Sequence, residues 1–334
     1  MYNTEIFELF NQALKQKATP GISYSLHGVK TFEKHYLGFK TYQDLDIVSE
    51  DSIYDLASLT KVIATTTRIL QLIESKQLSL HDPVIKYLPK FHYSNIKIEN
   101  LLLHNSGLPA DLNNVMTFLD KDAVIRAIYD TNLIYKTGQN MIYSDLNFIL
   151  LGMIIEKIDG EAFDQSITNN ILKPLKMNNS GFNLDKNPRL FVPTEKSKLR
   201  GQIQAIVHDE TAYKLNGISG NAGLFATLND LDNFCQMYLN GGSFGGRKIL
   251  KEDTIAQLFD FNFVGRTLGW QRWNKNDHTL WHTGFTGTSI AIDLDKNTYF
   301  VCLTNRVFPT RENKKWLPIR RLAIGLFFQE PELI

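Results

Sequence analysis

Ser58 and Lys61 stand three residues apart in Asp55-Leu56-Ala57-Ser58-Leu59-Thr60-Lys61, just ahead of the apolar run that begins Val62-Ile63-Ala64. Side chains at i and i+3 share one helix face. A hydroxyl at a helix start beside an amine is the arrangement that a serine nucleophile with a lysine base requires. The helix start also leaves backbone N–H groups free to meet a developing oxyanion. Burial would push the lysine pKa down, toward the neutral amine a base needs. Ser-x-x-Lys arises by chance about once in a chain of this size, and a second copy, Ser94-Asn95-Ile96-Lys97, is present. That copy precedes only a short helix and reads as a surface cap. Ser58 precedes a long apolar helix over 62–73 that has to be central, and a nucleophile on such a helix is held rigidly.

The elements that must hold this pair come from both ends of the chain. Residues 4–17 carry apolar side chains at helical spacing, and Pro20-Gly21 ends that helix. Residues 22–28 and 31–38 alternate as a hairpin. From about 82 to 180 the pattern is helix-rich, with helices expected over 98–104, 120–130, 146–158 and 161–173. Strand signals return late: a short strand over 223–227, a helix over 228–239, then four successive strands over 268–273, 279–282, 288–294 and 299–305. A helix over 316–328 closes the chain. The fold class expected is therefore α+β. An antiparallel sheet is covered by the N- and C-terminal helices, a helical lobe is inserted, and the active site lies between lobes. The boundaries are 1–81 with 211–334 for the sheet lobe and 82–210 for the inserted one.

Composition narrows the function classes. The 334 residues are 43% hydrophobic and 21% charged, with a formal net charge of +1. That is ordinary for a globular protein and gives no bulk attraction to nucleic acid or anionic lipid. Two cysteines, Cys235 and Cys302, are too few for a disulfide framework. The start, Met1-Tyr2-Asn3-Thr4-Glu5-Ile6-Phe7-Glu8, lacks the basic and apolar regions of a signal peptide. No apolar run approaches the roughly 20 residues that span a bilayer. A soluble cytoplasmic protein is the expectation.

Farther along stand Tyr143-Ser144-Asp145 and His282-Thr283-Gly284-Phe285-Thr286-Gly287-Thr288. With Ser58-Leu59-Thr60-Lys61 these resemble, in order, the three active-site elements of the serine beta-lactamase and penicillin-binding protein superfamily. The class C beta-lactamase-like branch, which also holds DD-peptidases and family VIII-type esterases, is the closer likeness. Leu101-Leu102-Leu103-His104-Asn105-Ser106-Gly107-Leu108-Pro109, Val207-His208-Asp209-Glu210 and Gly220-Asn221-Ala222-Gly223-Leu224-Phe225 are similar to its intervening segments. The resemblance implies a beta-lactamase/transpeptidase-like fold with Ser58 acylated and Lys61 and Tyr143 sharing proton transfer. His282, Thr283 and Gly284 would form a strand beside the substrate, and the N–H of Phe285 would join that of Ser58 in the oxyanion hole. It implies no cofactor and no metal, and a small-molecule or peptide-like ester or amide substrate.

Two positions depart from the pattern. Asp145 stands where the second element usually has asparagine, in the place of an amide that meets the substrate. His282 stands where beta-lactamases have lysine, and imidazole carries little charge at neutral pH. Both favour an esterase or D-amino-acid-type peptidase. A weak beta-lactamase or DD-carboxypeptidase is the alternative, and a ligand-binding protein without turnover is the rival from another class. Gly241-Gly242-Ser243-Phe244-Gly245 spells G-x-S-x-G but lacks the preceding strand of a nucleophile elbow, so it reads as a turn. His104 and His208 read as hydrogen-bonding residues near the cleft, and Arg306 as a structural ion-pair residue. His208-Asp209-Glu210 has no metal-ligand spacing to support it.

Overall fold

The computed structural model describes residues 2–43, 45–274 and 277–329 of the chain. Two early strands, β1 (Gly21–His27) and β2 (Phe32–Gly38), join three late ones, β3 (Thr279–Thr283), β4 (Ser289–Asp293) and β5 (Thr298–Thr304). They make one antiparallel sheet in the order β2-β1-β5-β4-β3. β1 runs against β5 from Ile22 opposite Thr304 to His27 opposite Tyr299, so both chain ends meet at the sheet's centre. On β5, Phe300 and Cys302 join one apolar cluster while Tyr299, Val301 and Leu303 join another. Strand alternation places them on opposite faces. All of β5 is buried, as a strand covered on both faces must be.

The helices that frame the site are α1 (Tyr2–Lys15), α2 (Thr67–Glu74), α3 (Asp145–Asp159), α4 (Leu228–Leu239) and α5 (Trp316–Phe328). α1 and α5 cover one sheet face, where Ile6, Phe10, Tyr24, Phe300, Trp316 and Phe327 pack together. The other face meets α4 and the segment that carries Ser58. There a single apolar cluster runs from Ile290 and Val301 through Val62 and Phe234 to Ile155 on α3. Between residues 82 and 210 lie further short helices, Ile98–Leu102, Lys121–Tyr129 and Phe163–Ile167. Among the described residues no helix is long and apolar enough to cross a membrane.

The structure corrects three local expectations. The helix after Ser58 is not uniform: Lys61–Thr66 winds as a π-helix before α2 begins. The run Thr65-Thr66-Thr67 is β-branched and costs α-helix stability. Two of its hydroxyls bond backbone carbonyls, Thr65 Oγ1 that of Gly220 at 2.7 Å and Thr67 Oγ1 that of Val62 at 3.0 Å. Residues 268–273 are not a sheet strand. Gly269 has φ +77°, which breaks an extended run, and its N–H bonds the Leu102 carbonyl while its Cα packs on the Thr66 side chain. Only Gln271 bridges to the sheet, through Trp281. The 223–227 strand shrinks to Phe225–Ala226, paired with Tyr54–Asp55 immediately before the nucleophile segment. The glycines at 241–246 flank a two-residue hairpin, Ser243–Phe244 with Arg247–Lys248.

Candidate active site

Ser58 sits where the chain turns from the Tyr54–Asp55 strand into the helix. The turn is closed by N–H groups of Leu59, Thr60 and Lys61 on the carbonyls of Leu56, Ala57 and Ser58. Lys61 is fully buried, and its ammonium touches three acceptors. Nζ lies 2.9 Å from Ser58 Oγ, 2.9 Å from the Asn221 carbonyl and 2.6 Å from Asp145 Oδ1. The Asn221 carbonyl gets there because Gly220 packs directly on the α3 backbone at the Phe148 carbonyl, where a Cβ has no room. Ser58 and Asn221 accept hydrogen bonds from the protonated lysine, and the Asp145 carboxylate pairs with it as an ion.

This reverses the expected electrostatics. Burial alone would lower the Lys61 pKa, but the Asp145 carboxylate and the neighbouring Tyr143 more than offset it, and the ammonium is held above its ordinary range. Asp145 was expected to face the substrate in place of an amide. It lines the cleft, yet its carboxylate is spent on Lys61.

Tyr143 and Asp145 are delivered by the segment after Ile98–Leu102. The Ile142 N–H bonds the His104 carbonyl, the Ser144 N–H bonds His104 Nδ1 at 3.0 Å, and the Asp145 N–H bonds the Ala110 carbonyl at 2.7 Å. His104 is therefore buried scaffolding, its ring 4.5 Å from that of Tyr143. The Tyr143 ring lies 5.1 Å from Lys61 Nζ, and its hydroxyl is buried without a partner among the described residues.

His282 and Thr283 end the edge strand β3, with Thr283 opposite Ser289, and the Gly284 N–H bonds the Thr288 carbonyl at 2.8 Å. His282 is buried, with its ring 6.0 Å from that of Tyr143. Burial first, then the positive charges of Arg266 and Lys61, push its pKa well below the usual imidazole value, so it is neutral. Phe285 follows on the loop, 48% exposed at the cleft. Its ring is stacked on His208 at 5.5 Å and covered by the Arg306 guanidinium at 4.6 Å. Arg306 is buried and bonded to backbone carbonyls, through Nε to Phe285 and through Nη1 to Arg311 and Asn313, with no ion pair among the described residues. Among the described residues neither the Ser58 N–H nor the Phe285 N–H is taken by a hydrogen bond.

A cleft of about 250 Å³ brings Ser58, Tyr143, Asp145 and Phe285 together with residues the sequence did not single out for chemistry. Asp111 and Asp209 have carboxylate oxygens within 4.8 Å of each other and of Asp145. Asp209 caps the helix Glu210–Lys214 through the Ala212 N–H at 2.7 Å. Lost solvation, with Asp209 and Asp145 nearby, pushes Asp111 up to about 7. Of the three carboxylates, Asp145 pairs with Lys61. Glu195 holds His208 Nε2 at 2.9 Å and Arg311 Nη2 at 2.8 Å across the far wall. Arg266, also unforeseen, lies buried with its guanidinium 5.0 Å above the Tyr143 ring and with Nε and Nη1 unpartnered among the described residues. Burial lowers its pKa to about 10. No short-range pattern marks Arg266, whereas Asp209 falls inside the quoted 207–210 segment.

The sheet flanked by terminal helices, with a serine and lysine at its edge, defines the beta-lactamase/transpeptidase class of fold. Two solved structures share it: a class C beta-lactamase, at TM-score 0.78 and 17% identity over 100% of this chain and 97% of that one, and the hydrolase EstCE1, described as having promiscuous acyltransferase activity, at TM-score 0.77 and 18% identity over 97% and 98%. A curated relative from Salmonella agona, named a putative D-alanyl-D-alanine carboxypeptidase, is 32% identical over 333 residues, covering 86% of this chain and 77% of its own. The chain belongs to the Beta-lactamase family, whose model matches residues 6–324. It is a serine hydrolase of that family.

Proposed function

We propose that the protein hydrolyses an ester or a D-amino-acid-type peptide through an acyl-enzyme on Ser58. The observation that carries this is Lys61 Nζ at 2.9 Å from Ser58 Oγ, inside a cleft that also holds Tyr143. Ser58 Oγ attacks the carbonyl carbon. The serine proton passes into the pair formed by Lys61 and Tyr143, Lys61 accepting it when its amine is neutral, while Asp145 holds the resulting ammonium in place. The oxyanion meets the free N–H groups of Ser58 and Phe285. Collapse expels the alcohol or amine, which takes the proton back, and water then releases the acid from Ser58.

The neutral His282 and the engaged Asp145 support the preference for an ester or D-amino-acid-type substrate over a beta-lactam. The relative's name favours a second reading, a DD-carboxypeptidase. Fluorophosphonate labelling of the wild type, abolished in Ser58→Ala, is the expected result; undiminished labelling of that variant rules the assignment out. Short p-nitrophenyl esters, a D-Ala-D-Ala peptide and a chromogenic cephalosporin then rank the substrates. Cephalosporin turnover of roughly 10 per second or more would reverse the ranking, and no turnover of any of them would favour the binding-protein reading.

A further inference from the structure

Asp55 is 2% exposed and makes no ion pair among the described residues, yet its carboxylate accepts two backbone N–H groups, one from its own turn and one from a distant segment. Oδ1 takes the N–H of Ala57 at 2.8 Å, and Oδ2 takes the N–H of His208 at 2.7 Å. Ala57 has φ +47°, the left-handed region that residues other than Gly, Asn and Asp seldom adopt. It immediately precedes Ser58. His208 stacks on Phe285, whose N–H is the second oxyanion donor of the proposed function. The backbone of the same turn is tied to that loop as well. Thr286 Oγ1 donates to the Asp55 carbonyl at 2.8 Å, and Thr288 Oγ1 to the Leu56 carbonyl at 3.1 Å.

We propose that Asp55 is a positioning residue for acylation. Its carboxylate holds Ala57 in the left-handed turn that aims Ser58, and locks that turn to the His208–Phe285 wall. The inference rests on Ser58 being the nucleophile. A buried carboxylate suits this place for a simple reason: both groups it faces are donors. The amide of asparagine has one acceptor oxygen and one NH2, so Asp55→Asn must turn a donor against a donor at Ala57 or at His208. A glycine at 57 adopts the same φ without strain, so Ala57→Gly should make the carboxylate less necessary.

The second-order rate of fluorophosphonate labelling tests this, with circular dichroism to report folding. Asp55→Asn should label about 10- to 100-fold more slowly than wild type. Adding Ala57→Gly to it should recover at least fivefold, a rescue that a merely structural carboxylate would not give. In ester hydrolysis the loss should fall on kcat, with KM changed less than about threefold. Asp55→Asn within twofold of wild type overturns the proposal, and so does a slow Asp55→Asn with no rescue. If Asp55→Asn does not fold alone, the double variant decides: folded and within tenfold of wild type supports the proposal, while misfolded or slower overturns it. Failure of the underlying reading looks different, because Ser58→Ala would then still be labelled.

Discussion

Lys61 carries the site's charge, and Asp145 decides what that charge does. Because its pKa is raised in the folded chain, the ammonium contributes stability at any pH below the unfolded lysine value. That contribution is lost only as pH rises through the higher folded value. Asp145→Asn leaves a buried ammonium without its anion, so a loss of about 3 kcal/mol at pH 7 is expected in denaturant unfolding. The same change should move the acid limb of the labelling profile to lower pH, since Lys61 then gives up its proton more readily. Asp111 works in the opposite sense. With a folded value raised to about 7, both states are protonated below about pH 4. Between there and about 7 the unfolded chain ionises first, so stability falls as pH rises and levels off above. Asp111 is exposed at the rim, and solvent screening holds the effect under about 1 kcal/mol. Thermal unfolding of Asp111→Asn across pH 4 to 8 should show that slope reduced.

The element that matters most is the π-helix Lys61–Thr66. It sets Lys61 inward toward Ser58 while Thr65 reaches the Gly220 carbonyl, and the loop at Gly269 braces it from outside. A Cβ at 269 would strike the Thr66 hydroxyl at a φ of +77°. Gly269→Ala should therefore cost roughly 1–3 kcal/mol and slow labelling as well, because the distortion is transmitted to the turn of the helix that bears Lys61. A drop in stability with unchanged labelling would show the brace to be independent of the site.

At the scale of the whole molecule, the sheet is closed by its own termini. Phe10 on α1 packs its ring 5.0 Å from Tyr24 on β1 and 5.4 Å from Trp316 on α5. Phe10→Ala should lower stability by about 3–5 kcal/mol. In native conditions it should leave the labelling rate of the folded fraction near wild type, since this cluster lies on the sheet face away from Ser58. A labelling rate that fell with stability intact would contradict that separation.

What could be read from the sequence is what neighbours in the chain decide. The 21–38 hairpin, the helix over 228–239, the turn at 241–246 and the Ser58–Lys61 spacing all rest on contacts within a few residues, and periodicity and turn chemistry report those directly. Residues 268–273 alternate as a strand does, while the positive φ of Gly269 that breaks the run goes with its packing against Thr66. The charge state of Lys61 is likewise set by a contact in space. Burial could be inferred from an apolar helix, but the Asp145 carboxylate at 2.6 Å could not. Arg266 above Tyr143, Asp111 beside Asp209, and Asp55 bonded to the His208 N–H likewise join residues far apart in the chain. The sequence by itself determined that a serine and a lysine share one turn of a buried helix. Tertiary structure alone decided which charges surround them, because electrostatic energies depend on distance in space and on lost solvent.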